Sequence, residues 1–232
     1  MVFYKPYPRS IELVERLRIE LFNRWLDSLE EHYEGYINDN FELPNDGSAR
    51  PCTIEWLEEL SYPVLSVEYL GMLPHYDESM KIKGMVRDVY RRAFRLANTG
   101  ISLKHRFEQS HIFILHYFSD QIIRDLDNRY VKFLVDNLRH HGYITNDDWK
   151  SVSLTELGLY GDETKVVMYI VDQENFTDFL LYYIEPLRIK SEQNKSKPLQ
   201  HDLEKEIGLS IGRPEKSKGQ TIIRSNIRES LF

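Results

Sequence analysis

Residues 110–118, Ser-His-Ile-Phe-Ile-Leu-His-Tyr-Phe, form a run of β-branched, aromatic and apolar side chains with no glycine or proline to break it. Such a run reads as a strand. Val64–Leu70 (Val-Leu-Ser-Val-Glu-Tyr-Leu) reads the same way, and 151–157 with 165–171 reads as a hairpin across Gly158-Leu-Tyr-Gly161-Asp-Glu. Helical spacing separates these strands. Residues 10–33 carry Val14, Leu17, Leu21, Trp25 and Leu29 at three- and four-residue steps, with Ser10 able to cap the start. The stripe is expected to face the core or a partner. After a polar loop at 34–52, a short helix is expected from Thr53 to about Leu60, stopped by Ser61-Tyr62-Pro63. Residues 82–98 bury Val86, Val89, Tyr90, Ala93 and Ala97 and end at Asn98-Thr99-Gly100. Residues 128–141 bury Val131, Leu134, Val135 and Leu138 and close at Gly142, and 174–187 bury Phe176, Phe179, Leu180 and Tyr183. The fold class is therefore α+β, a mixed sheet with packed helices. Residues 1–62 form a helical N-terminal extension, 63–188 the core and 189–232 a polar, mobile tail.

Composition narrows the partners. The 232 residues carry a net charge of −7, which argues against indiscriminate coating of nucleic acid, but the charge is uneven. Residues 1–60 hold 13 acids against 6 bases, and 188–232 hold 6 against 10. The single cysteine, Cys52, excludes an internal disulfide and a thiolate metal site, which suits a reducing compartment. No apolar run approaches the length of a membrane span, and the first residues lack the apolar core of a signal peptide. A cytoplasmic protein without a membrane partner is expected.

The chemistry concentrates after the 110–118 strand. Asp125-Leu-Asp127-Asn128 begins within seven residues of its end, and Asp147-Asp148 follows about twenty residues later. Hard carboxylate oxygens at both ends of one structural unit suit Mg²⁺, with Mn²⁺ as a substitute, because such ions bind through a few carboxylates, waters and phosphate oxygens. Asp127 stands where a helix N-terminus is expected, so it equally suits a cap. Asp147-Asp148 equally suits a solvated turn. If the helix folds back over the sheet, Asp125, Asp127 and Asp148 converge, and three such acids would repel one another unless a cation sat among them. Lys132 and Asp136 lie one helical turn apart and are expected to pair; in the functional reading Lys132 stabilises charge on the scissile phosphate. Asn128, Asp136 and Asp147 would support the site. His140 and His141 read as residues complementing a helix C-terminus rather than as ligands.

A basic segment precedes the motif. Lys81, Lys83, Arg87, Arg91, Arg92, Arg95, Lys104 and Arg106 face one acid, Asp88, across 26 residues. Arg87, Arg91 and Arg95 step by four and make a ridge opposite the apolar face. The ridge is either a solvated face or a phosphate track whose affinity falls with salt. Arg124, beside the acids, joins the candidate DNA contacts.

An apolar strand (His111–Phe118), Arg124-Asp-Leu-Asp-Asn128, a helix with Lys132-Phe-Leu-Val-Asp136, then Gly142-Tyr-Ile144, Asp147-Asp148 and a closing strand Val166–Ile170 resemble the RusA-type Holliday junction resolvases. The resemblance covers about residues 64–172, with 124–148 its specific core. It implies a homodimeric, Mg²⁺-dependent endonuclease that cuts four-way DNA junctions in recombination and repair. Asp125, Asp127 and Asp148 would hold the metal, and Lys132 would assist. Lys132 falls one residue later than in the family pattern, as a one-residue insertion would place it. Residues 1–62 have no counterpart and could dock a protein partner. Two other classes compete: a metal-dependent transferase, weakened by the absence of a Gly-Ser turn before Asp125, and a non-catalytic interaction module that keeps a resolvase-like core.

Overall fold

The computed structural model describes residues 8–34, 51–74, 83–120 and 122–195, and all of them belong to one compact unit. Within it, α1 (Pro8–Glu34) and α2 (Lys83–Ala97) are the long helices. Five strands, β1 (Cys52–Trp56), β2 (Val64–Leu70), β3 (Ser110–Phe118), β4 (Val152–Tyr160) and β5 (Lys165–Asp172), form one sheet in the order β1-β2-β5-β3-β4. Only the β3–β4 pair is parallel. A parallel neighbour needs a long crossover, and α3 (Lys132–His140) lies in it. The chain is therefore α+β with a mixed sheet. Among the described residues no helix is long and apolar enough to cross a membrane.

Strand alternation splits the core in two. Ile112 and Ile114 of β3, Met168 and Ile170 of β5 and Val67 of β2 join Val86, Val89, Phe94, Phe133, Leu134 and Leu138 under α2 and α3. Phe113, Leu115, Val167, Tyr169 and Val171 face the other way, onto Phe179 and Ile184. Those two residues belong to a helical run through Gln173–Asn175, α4 (Phe176–Phe179), a π-type turn at Leu180–Ile184 and α5 (Glu185–Lys195). β3 is buried on both faces, which is why its sequence shows no polar alternation.

Several expectations need correction. Residues 53–60 are not helical: Cys52–Trp56 pairs antiparallel with β2, Cys52 opposite Tyr69, so the sheet crosses the expected boundary at residue 62. β4 and β5 do not form a hairpin, because β3 lies between them. The last helix continues to Lys195, past the expected start of the tail, stitched by Arg188 to Glu185 and Glu192 and by buried Ser191, whose Oγ accepts from the Tyr160 amide at 2.6 Å. Ser10 lies inside α1 rather than capping it. The first half of the α1 stripe also points outward, while Trp25 and Leu29 are half-buried. Leu13, Val14, Leu17 and Leu21 are exposed, while Glu15, Ile19 and Leu26 are buried and Phe22 packs against Tyr90 of α2 at 5.9 Å. The tail from residue 196 and the 35–50 stretch of the expected loop lie outside the described residues.

Candidate active site and basic face

The end of β3 is held by a clamp. Arg124 donates to Asp120 (Nη2–Oδ2 2.7 Å), its guanidinium stands 5.0 Å over the Phe118 ring, and Ile122 N–H donates to Asp120 at 3.1 Å. The hydrogen bond from Arg124 holds the Asp120 carboxyl down at about 2. Arg124 is therefore engaged within its own loop rather than offered to solvent.

The next turn carries the motif acids. Leu126 rests on the sheet, its Cδ1 3.6 Å from the point a Cβ on Gly158 would occupy, so the missing side chain at 158 makes the seat for the turn. Arg129 ties the turn to the segment after β2, donating to Leu73 O at 3.0 Å and Asp125 O at 3.3 Å. With its backbone so anchored, the turn leaves the Asp125, Asp127 and Asn128 side chains exposed. Asp127 caps no helix: α3 begins only at Lys132, behind Val131, which offers no side-chain cap.

Lys132 meets both acids expected to support it. Its Nζ lies 3.1 Å from Asp136 Oδ1 and 4.0 Å from Asp147 Oδ2, and Arg139 approaches Asp147 at 3.4 Å. The sequence assigned Asp148, not Asp147, to the metal. Asp148 instead builds the turn that launches β4. Its Oδ1 accepts from the amides of Lys150 (2.9 Å) and Ser151 (3.0 Å), and its Oδ2 accepts from Asn146 Nδ2 at 2.6 Å. Lost hydration raises this carboxyl's pKa, but the amide hydrogen bonds outweigh it and leave the group below the usual carboxylate range.

The expected convergence of Asp125, Asp127 and Asp148 is not formed within one chain. Among the described residues no three His, Cys, Asp or Glu side chains are grouped to hold a metal ion. The register explains why. Asp148 precedes Val152 at the start of β4, whereas the 125–127 turn sits over Gly158 six residues on, ~20 Å along a strand. Mg²⁺ asks for only one or two protein carboxylates; Asp125 and Asp127 are exposed, whereas both Asp148 oxygens already accept hydrogen bonds from its own turn.

The basic residues divide. Arg91 and Arg95 of α2 are exposed, and both act on His141 at the end of α3. Burial first, and then His140 and these arginines, push the His141 imidazole below its ordinary range. Arg87 is half-exposed and paired with Asp88 at 3.0 Å, while Lys83 and Arg106 are exposed. Arg92 does not belong to the ridge: it reaches Asp27 at 2.6 Å and Asn23, bolting α1 to α2. Lys104 pairs with Glu58. Lys81 lies outside the described residues.

Sequence reasoning missed the contacts of two buried histidines, His111 and His116, and of the half-buried His105. His111 bridges Ser153 (2.6 Å) and Thr155 (2.9 Å). His116, fully enclosed, lies 3.4 Å from Glu156 without an aligned hydrogen bond. His105 meets Asp172 at 2.9 Å. For His111 and His116 the only sequence signal was a polar residue within an otherwise apolar strand; His105, in the loop before β3, gave none. No protein-family model matches the chain, and no curated protein matches it.

Proposed function

We propose that the protein is a Mg²⁺-dependent endonuclease acting on branched DNA. The observation that carries this reading is the grouping of Lys132 with Asp136 and Asp147 at α3, which follows in sequence the turn that exposes Asp125 and Asp127. Asp125 and Asp127 would hold the ion, which when bound would activate water and neutralise charge on the phosphate being cut. Lys132, 73% exposed, is free to leave its weak surface pairs and contact a phosphate oxygen. Arg91 and Arg95, on the helix packed beside α3, supply cations for the flanking backbone.

The test is cleavage of a labelled four-way junction beside an equal-length duplex, with Mg²⁺ and with EDTA. Junction-selective, Mg²⁺-dependent nicking is expected, abolished by Asp125→Asn or Asp127→Asn with binding retained. Lys132→Met should lower kcat by roughly 100-fold. A second reading, a non-catalytic module that binds nucleic acid or protein, is favoured by one observation: among the described residues no three metal-ligating side chains are grouped. Junction binding without cleavage under any metal would select it.

A further inference from the structure

β4 is the last strand of the sheet, and among the described residues only β3 pairs with it. Which of its backbone groups look outward follows from two bonds. Ser110 N–H donates to Ser151 O and Gly161 N–H donates to Phe118 O, so odd-numbered residues face β3. Even-numbered residues face away. At the two ends these outward amides are already satisfied, Val152 by Asp148 O and Tyr160 by Ser191 Oγ. Between them Leu154, Glu156 and Gly158 present a row of donors and acceptors that no backbone group among the described residues pairs, without the lysine or proline that usually blunts an edge.

Such a row is a template for another strand, and its surroundings are self-complementary. Just before β4, Trp149 is 85% exposed with Lys150 against its ring. Beside the far end of β4 lies a largely apolar recess of about 370 Å³, lined by Phe118, Ile122, Ile123, Leu126, Leu159 and Tyr160 together with the paired Asp120 and Arg124. Ile122 and Ile123 are 65% and 97% exposed. An antiparallel pair of identical edges lays the start of each strand beside the end of the other. Each Trp149 then meets the partner's recess, and each Lys150 meets the partner's Asp120.

We propose that the outer edge of β4 is the interface between two copies of this chain, paired antiparallel about a two-fold axis at Glu156. Isologous contact of this kind buries the same patch twice. Trp149, Ile122, Ile123 and Leu154 expose on the order of 500 Å² of apolar surface, the larger part of the roughly 800 Å² per partner that a standard interface buries. The two Glu156 carboxylates at the axis are each turned inward to His116 of their own chain, which separates the like charges. The interface rests on the strand edge and the apolar residues that flank it, whatever reaction the protein catalyses.

The test uses the full chain without DNA or metal. Light scattering across a concentration series, paired with amide exchange, should give a dimer whose Leu154, Glu156 and Gly158 amides become protected as concentration rises. Trp149→Asp, at an exposed site that leaves the fold intact, should weaken the dimer by at least about tenfold. Glu156→Pro removes an outward N–H, as edge strands tolerate, and should do the same. A monomer at every concentration would overturn the proposal. So would a dimer that keeps these three amides unprotected, or one indifferent to both substitutions, which would move the contact elsewhere, to the exposed stripe of α1 for example.

Discussion

At the scale of single residues, His111 shows how a buried polar group is held neutral. Its ring is 5% exposed between Phe113 and Phe176, and Nδ1 and Nε2 contact the Ser153 and Thr155 hydroxyls. Ser153 donates onward to Gln173 at 2.6 Å, so His111 Nδ1–H donates to Ser153 and Nε2 accepts from Thr155. Burial lowers the imidazole from 6.5 to about 4. The unfolded chain then takes up this proton before the folded one. Stability from His111 is full above about pH 6.5 and is lost as pH falls towards 4, by up to about 3 kcal/mol. His111→Gln should flatten that acid slope, read from urea midpoints at pH 7 and pH 4.5, while costing some stability at pH 7. Parallel slopes in the two proteins would place the acid sensitivity at another group. Little of this was legible in the sequence, because the hydroxyls lie more than 40 residues away on a strand whose neighbour was assigned wrongly.

At the scale of elements, what could be read locally was read and what depended on pairing was not. β2 and β3 follow from uninterrupted apolar runs, and α2 and α3 close at Gly100 and Gly142, both of which adopt positive φ. β1 was missed because Trp56-Leu57-Glu-Glu-Leu60 carries helical spacing, and only the ladder to β2 extends 52–56. The short glycine-flanked link from β4 to β5 suggested a hairpin, yet local turn chemistry cannot reveal that β3 inserts between them. Periodicity marked α1 as amphipathic but did not say which side would meet α2; Arg92, with Asp27 and Asn23, fixes that side. A contrast between α2 arginines follows. Arg91→Gln and Arg95→Gln should each reduce the salt slope of DNA binding by about one charge. Arg92→Gln should leave that slope unchanged and instead speed amide exchange along α1. Equal effects of all three would mean that the α1–α2 contact itself binds DNA.

At the scale of the whole molecule, the motif read from the sequence is present but divided between the two ends of β4. The Arg124–Asp127 turn sits over Gly158, while Asp147 and Asp148 precede Val152. Antiparallel pairing centred on Glu156 sets Val152 opposite the partner's Tyr160, and so brings the 147–149 loop of one copy beside the 124–127 turn of the other. The acids that one chain keeps apart would then meet twice in a dimer. This has a consequence that a site within one chain does not share. Asp125→Asn and Asp147→Asn should each be inactive alone, but a heterodimer of the two keeps one site with every acid intact. An equimolar, freely exchanging mixture should therefore recover about a quarter of wild-type junction cleavage, since half the dimers carry one intact site of two. Adding Trp149→Asp to both chains should remove the recovery by separating the copies. Were the site complete within one chain, no mixture of the two variants could ever contain an intact one, and the mixture would stay as inactive as its parts.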